Sequence, residues 1–339
     1  MLKYAIIGFG GLGKLLLVTL KRLEKERGDL HLQAICGADP AALKQKVKLN
    51  IGTVDLSELD FSDCALYSDY KEMLDKEDLD FVLSVLPTYL HEEVACYAFE
   101  KGVHVFSEKP MALTYEGCLK MLSAMDKAGK KLMIGQCLRF HPAYAKLKEY
   151  VDENTFGKPY RAEFSRYSPT PSWTWKNWIL DPALSGGCAL DMHVHDVDMI
   201  YHLFGMPNAL RSSMTERKVP REGIFTEYFY DGLLVSSRAD WSLPQTFPFE
   251  ARCIVNFEEA TVVVEGDKLT VYKDSGVETP MLLTEDCYAA ELRAFVKMVS
   301  GEEDCKISTP QSVSESVKLA LTEVQSATEG KTVYFNEEK

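Results

Sequence analysis

The sequence predicts an α/β chain in two parts. An N-terminal doubly wound parallel sheet is expected over residues 1–137, and a C-terminal α+β domain with a large, mainly antiparallel sheet over residues 138–339. Three observations predict it. Up to Cys137, short apolar runs alternate with helix-like stretches, the rhythm of parallel strands covered by helices on both faces. Beyond Cys137 the strand-like runs lengthen and follow one another through short turns, as consecutive antiparallel strands do. Two of those turns are spelled by Asp231-Gly232 and Gly266-Asp267, dipeptides that suit hairpins.

In the first part, Tyr4-Ala5-Ile6-Ile7 reads as a buried strand, and Leu15, Leu16, Val18, Leu20 and Leu23 mark the helix after it. Leu30–Cys36, Phe81–Leu86 (closed by Pro87), Val103–Phe106 and Leu132–Ile134 are further strands. Residues 50–63 fit this rhythm poorly and are expected to form a loop excursion before a strand at Ala65–Tyr67. In the second part, a helix over Ala143–Val151 leads into an alternating strand, Tyr160–Tyr167. One helix is expected after Gly186-Gly187. Strands follow over 210–215, 225–241, 251–257, 261–264 and 269–272, and helices over 286–299 and 313–327 close the chain.

The net charge of −13 disfavours nucleic acid and anionic membrane partners, because an acidic surface repels phosphate. The nine cysteines are odd in number and contain no Cys-x-x-Cys pair, which reads as reduced thiols. No basic segment followed by a long apolar run opens the sequence, so a cytoplasmic protein is expected.

Gly8-Phe9-Gly10-Gly11-Leu12-Gly13 fits Gly-x-Gly-x-x-Gly and lies between the first strand and the first helix. Glycines there permit a tight turn and close approach of a pyrophosphate to the helix N-terminus, the Rossmann dinucleotide arrangement. An acid after the second strand would hold the adenosine ribose, and Asp39 fits that role or a simple cap before Pro40 equally well. The cofactor is therefore NAD or NADP. The strand Val103–Phe106 runs into Ser107-Glu108-Lys109-Pro110, and ligands of such sheets bind beyond the carboxyl ends of the strands. That places Lys109 where a nicotinamide would lie, against the plainer reading of a surface lysine.

Asp191 and His195 stand four residues apart, one helical turn on one face. A carboxylate beside an imidazole builds a base for neutral pH. Leu190, Val194, Val197, Tyr201 and Phe204 form an apolar stripe, and Asp191, His195, Asp198 and His202 border it, where histidines are commonly structural. His193-x-His195 suggests a metal only on a strand; on a helix the two rings point about 200° apart, so no metal is expected.

These segments together resemble the glucose–fructose oxidoreductase/inositol 2-dehydrogenase (Gfo/Idh/MocA) superfamily over nearly the whole chain. The resemblance rests on Gly8–Gly13, Leu86-Pro87-Thr88-Tyr89-Leu90-His91, Glu108-Lys109-Pro110, Gly135-Gln136-Cys137-Leu138-Arg139-Phe140-His141-Pro142, and Gly186-Gly187 with Asp191, His195 and Asp198. It implies Lys109, Asp191 and His195 as the catalytic group, and Leu86, Pro87, His91, Glu108 and Lys109 as further cofactor contacts. It also implies hydride transfer between NAD(P) and a secondary alcohol or ketone of a sugar, polyol or related molecule. Two departures stand out: Gly37 occupies the place where NAD-dependent members usually carry an acid, and His193 a position that is often Gly.

The superfamily is also similar to NAD-dependent glycosidases that oxidise their substrate transiently, and to non-catalytic dinucleotide-binding regulators. Intact Lys109, Asp191 and His195 argue against a regulator. Trp173-Thr174-Trp175-Lys176-Asn177-Trp178 offers rings to a sugar face or anchors a loop in the core; Trp175 and Asn177 are weak substrate candidates. Arg139 is a third, with a structural ion pair as the alternative. An antiparallel sheet with one uncovered face is expected to pair with another copy, giving a homodimer or homotetramer.

Overall fold

The structure is a computed structural model that describes residues 1–38, 41, 43, 46–49, 52–57 and 59–335. The chain folds into two compact units. The first holds Met1–Ala112, Glu116–Gly135 and Tyr288–Gln311; the second holds Leu113–Tyr115, Gln136–Cys287 and Ser312–Lys339. A contiguous second domain over 138–339 therefore does not describe the chain. Tyr288–Gln311 returns to the first unit because Phe295, fully buried, packs edge-on against Phe81 and Phe106 at 5.5 and 5.6 Å between ring centroids.

In the first unit, six strands form one parallel sheet: β1 (Leu2–Ile7), β2 (Leu30–Cys36), β3 (Ala65–Tyr67), β4 (Phe81–Ser84), β5 (His104–Glu108) and β6 (Leu132–Gly135). Their order is β3-β2-β1-β4-β5-β6, so the chain winds outward in one direction from β1 and then in the other from β4. A crevice opens at such a reversal, beyond the carboxyl ends of the strands. The apolar runs become central strands because both faces are covered: Tyr4, Ala5, Ile6, Phe81, Val82 and Leu83 are all fully buried. Helices α1 (Gly11–Arg27), α2 (Tyr70–Lys76), α3 (His91–Glu100) and α4 (Tyr115–Ala128) join them.

Residues 50–63 are not wholly loop. Lys46–Leu49 and Gly52–Asp55 pair as two short antiparallel strands. Val54 and Leu56, at 3% and 1% exposure, bury the second strand. Four-residue strands are too short for a period-two pattern to register in sequence.

The second unit is built on nine strands: β7 (Pro159–Pro169), β8 (Ala209–Thr215), β9 (Gly223–Tyr230), β10 (Leu233–Leu243), β11 (Glu250–Phe257), β12 (Thr261–Glu265), β13 (Lys268–Lys273), β14 (Gly276–Glu278) and β15 (Val333–Tyr334). Their order is β14-β13-β12-β11-β7-β10-β9-β8-β15, antiparallel except for the parallel pair β7/β10. Asp231-Gly232 and Gly266-Asp267 make the tight turns between β9 and β10 and between β12 and β13. Burial alternates along β9 and β10, so one face is dry, with Tyr228, Val235, Ala239 and Trp241, while Phe225, Phe229 and Leu234 remain exposed. Helices α5 (Pro142–Asp152), α6 (Pro182–Ser185), α7 (Cys188–Asp191), α8 (Val194–Phe204) and α10 (Pro310–Glu329) complete this unit, and α9 (Cys287–Ser300) carries the chain back to the first.

The single helix expected after Gly186-Gly187 is two. Both Met192 N–H and His193 N–H donate to Cys188 O, at 3.1 and 2.8 Å, and the second of these closes a turn one residue wider than an α-turn. The helix therefore breaks at Met192-His193, between Asp191 and His195. Among the described residues no helix is long and apolar enough to cross a membrane, and no group of three or more His, Cys, Asp or Glu side chains is placed to hold a metal ion.

Candidate active site

Gly8 ends β1 at φ +98°, where an L side chain would be strained, and a Cβ there would stand 2.3 Å from Val85 O. A Cβ on Gly13 would stand 2.2 Å from Gly8 O. These two glycines let the turn fold tightly against β4. Gly10 differs: a Cβ on it would meet nothing within 4 Å. It caps α1 without any side-chain hydrogen bond, and the first turn, Gly11-Leu12-Gly13, carries no acidic residue. The helix N-terminus thus presents amides and positive dipole to open space, and the residues present fit a dinucleotide pyrophosphate. Phe9 is 8% exposed, with the Lys14 ammonium 5.5 Å from its ring centroid.

Asp39 lies outside the described residues. Gly37 bonds through its N–H to Tyr67 O at 2.9 Å and has φ +90°, so an acid at that position would be strained. That accounts for the departure noted in the sequence. The neighbouring Cys36 thiol is pushed up to about 11 by burial and is inert as a thiolate near neutral pH.

Leu86 and Pro87 follow β4 and are half-buried. His91 is fully buried, with Nδ1 2.7 Å from Pro110 O and Nε2 2.8 Å from Leu86 O. Its two ring nitrogens face backbone, so it ties the loop after β4 to the Glu108-Lys109-Pro110 segment and positions both; a direct cofactor contact does not follow from this geometry. Glu108 is buried at the end of β5 and accepts from Lys109 N–H through Oε2 at 3.2 Å. A Cβ on Gly135 would stand 3.0 Å from Glu108 Oε1, so the Glu108 carboxylate lies close against the adjacent strand. Lys109 is half-buried, and its peptide bond to Pro110 is cis.

In the second unit, Gly187 (φ +75°) starts α7 where a Cβ would stand 2.8 Å from Arg221 Cβ. From Asp191 to Ile200 every residue is buried except Asp191 and His195, which are half-exposed. The other polar groups of that run are paired. Asp196 accepts from Arg166 at 3.0 and 2.9 Å, and Asp198 accepts from Arg139 at 2.8 and 2.7 Å and from Ser316 Oγ at 2.7 Å. Arg139 is thus the structural ion-pair alternative realised. His202 is pushed down to about 4 by burial and stays neutral.

His193 is fully buried with Nε2 3.3 Å from Glu323 Oε2, and Tyr228 Oη donates to the other oxygen of Glu323. Burial lowers the His193 imidazole, but the Glu323 carboxylate overrides it and holds the ring above its ordinary value. Glu323, Tyr228 and Asp196 were not singled out from the sequence, and Arg166, which the sequence offers for substrate hydroxyls, is instead buried on Asp196. Glu323 had a signal: it falls on the apolar stripe of α10 defined by Val313, Val317 and Ala320.

Trp173 and Trp175 are 61% and 67% exposed, so neither anchors a loop in the core; Trp178 packs on one. Asn177 is exposed, with φ +54°.

Residues 2–136 match the model of an oxidoreductase family with an NAD-binding Rossmann fold, and residues 144–263 match the C-terminal domain of the same family. The chain belongs to the Gfo/Idh/MocA oxidoreductase family. Like the family, it is an NAD-binding oxidoreductase with a parallel N-terminal sheet and a mixed C-terminal one. A myo-inositol 2-dehydrogenase of Thermotoga maritima is 26% identical over 94% of this chain and 93% of its own. A 2,7-anhydro-N-acetylneuraminate hydratase of Mediterraneibacter gnavus is 29% identical over 65% of this chain and 54% of its own. A levoglucosan dehydrogenase in complex with NADH and levoglucosan shares the fold, with a TM-score of 0.83 over 99% of this chain and 100% of its own at 19% identity.

Proposed function

We propose that this Gfo/Idh/MocA member is a cytoplasmic, homo-oligomeric dehydrogenase that oxidises a secondary alcohol of a sugar or polyol, or reduces the corresponding ketone, with Lys109, Asp191 and His195 as its catalytic group. The observation that carries the reading is the burial pattern of Asp191–Ile200. Its other charged groups are buried in ion pairs, and only Asp191 and His195 reach the surface. The wider turn at His193 separates the two helices that bear them.

NAD, when bound, supplies the hydride acceptor. Gly10 and the first turn of α1 hold its pyrophosphate. A ring nitrogen of His195 takes the hydroxyl proton while the carbinol hydrogen leaves with its electron pair as hydride, so the carbonyl forms with both hydrogens accounted for. Asp191 orients the hydroxyl and stabilises the imidazolium. Lys109 places positive charge beside the developing alkoxide. The relatives named as inositol 2-dehydrogenase and levoglucosan dehydrogenase support an alcohol on a saturated ring as substrate.

The test is a panel of sugars, cyclitols and keto-sugars, each with NAD and with NADP, followed at the nicotinamide absorbance. On the best substrate, His195→Ala and Lys109→Ala are each expected to lower kcat by roughly 10²–10⁴-fold, with NADH affinity kept in His195→Ala. Near-normal turnover in both variants would overturn the assignment. One alternative is a glycosidase that oxidises its substrate transiently. It is separated by product formation without net NADH.

A further inference from the structure

The loop between β7 and α6 holds two of its three indoles, Trp173 and Trp175, out in water by construction. Trp178, Ile179 and Leu180 pack into one core cluster with Cys188, Ala189 and Met192, which support Asp191 and the turn before His195. The segment just before that anchor is strained outward. Lys176 and Asn177 adopt φ +52° and +54°, the left-handed region that non-glycine residues avoid. Lys176 then lays its ammonium 4.4 Å from the Trp175 ring centroid, which fixes the ring and covers one face. Strain and an ordered cation together keep an indole exposed where collapse onto the surface would be favoured.

A third ring, Phe249, 53% exposed, belongs to the same end of the sheet. β7 and β10 run parallel and end together: Thr170 N–H donates to Leu243 O at 3.3 Å, and Gln245 Nε2 donates to Thr170 O at 2.7 Å. Arg166, 5.8 Å from the Phe249 ring centroid, is the residue paired with Asp196, next to His195. The aromatic rim and the candidate base therefore share their supports. The indoles stand out in water on the loop whose anchor packs against Cys188, Ala189 and Met192, so a group stacked on them adds to whatever is bonded at His195.

Resting on the dehydrogenase reading above, we propose that Trp173 and Trp175 form a platform for a second ring attached to the oxidised one, so that the substrate is a glycoside or disaccharide. Pyranose rings present flat C–H faces that stack on aromatic rings, and exposed Lys176 and Asn177 bond their hydroxyls. The probes are glucose, galactose, mannose and myo-inositol as single rings, and cellobiose, maltose, lactose and p-nitrophenyl glycosides as two. Turnover with NAD is measured for the wild type, Trp175→Ala and Trp173→Ala, together with calorimetric binding to the NAD-loaded protein and sedimentation mass.

The expected result is an increase of about tenfold in KM for two-ring probes in Trp175→Ala, with kcat kept and single-ring kinetics unchanged. If single rings are oxidised but two-ring probes gain no affinity from the tryptophans, the platform falls and the dehydrogenase reading stands. If nothing is oxidised yet two-ring probes bind in a Trp175-dependent way, the dehydrogenase reading falls and the platform stands. If neither turnover nor binding is seen, both fall. A change in sedimentation mass in the variants, with glycoside affinity unchanged, would overturn the platform in favour of an interface between copies of the chain.

Discussion

Asp198→Ala should destabilise the second unit by about 3–5 kcal/mol. The Arg139 and Asp198 side chains are each 1% exposed, and the carboxylate accepts two guanidinium bonds at 2.8 and 2.7 Å and a third from Ser316 Oγ at 2.7 Å. Alanine removes both acceptor oxygens, and with them all three bonds, and leaves a guanidinium in a dry site with Ser312 Oγ, 2.6 Å away, among its neutral partners. The cost comes mainly from the orphaned charge rather than from the worth of the pair, which a second variant separates. Arg139→Met with Asp198→Leu removes both charges and should recover most of the loss. All four tryptophans, 173, 175, 178 and 241, belong to the second unit, so urea titration followed by tryptophan fluorescence reports on it selectively. A loss below about 1 kcal/mol, or a double variant as damaged as the single one, would refute the reasoning.

Three further outcomes are expected. Gly8→Ala should lower the melting temperature, because its Cβ would stand 2.3 Å from Val85 O, whereas Gly10→Val should melt normally and weaken NADH at least about tenfold in a nicotinamide fluorescence titration. Lys131 N–H donates to His104 Nδ1 at 2.8 Å, and burial pushes that ring down from 6.5 to about 4. Since the unfolded chain takes up this proton first, stability should fall by about 2 kcal/mol as pH drops from about 6.5 to 4, and His104→Gln should flatten that limb of a melting-temperature profile. His193 has the opposite sign. Its raised value stabilises the fold below the ordinary histidine range and ceases to do so as pH rises through the folded value. Glu323→Gln should therefore cost more stability at pH about 5.5 than at pH about 9, and an equal cost at both would exclude the ion pair.

The parts of the fold that could be read from sequence are those where one local pattern has one physical cause. Ile6 and Val82 sit in apolar runs because both sheet faces are covered, and Asp231-Gly232 turns a hairpin because its backbone suits the strand twist. The parts that could not be read depend on distant partners. The partners of His193 at the break are Glu323 and, through it, Tyr228, 130 and 35 residues further along the chain, and helical periodicity contains neither. Arg139 was legible as either ligand or ion pair, since only the position of Asp198 in space decides between them. His91 matched a family motif by sequence, but the two carbonyls its ring nitrogens face, Pro110 O and Leu86 O, could not be read there. For Asp191 and His195 the spacing was visible from the start; their selective exposure within a buried run was not.

The return of α9 to the first unit bears on how the protein is made. Phe295 closes the rings of Phe81 and Phe106, Arg293 reaches Glu26, and Glu302 reaches Arg27, so the N-terminal sheet lacks part of its core until residues near position 300 have been synthesised. A ribosome adding about 5–20 residues per second needs on the order of ten seconds or more to pass from β6 to α9. During that interval the sheet waits with an uncovered aromatic patch. A fragment ending at residue 137 would stay in that condition permanently, and should be recovered only as an aggregating or chaperone-bound species.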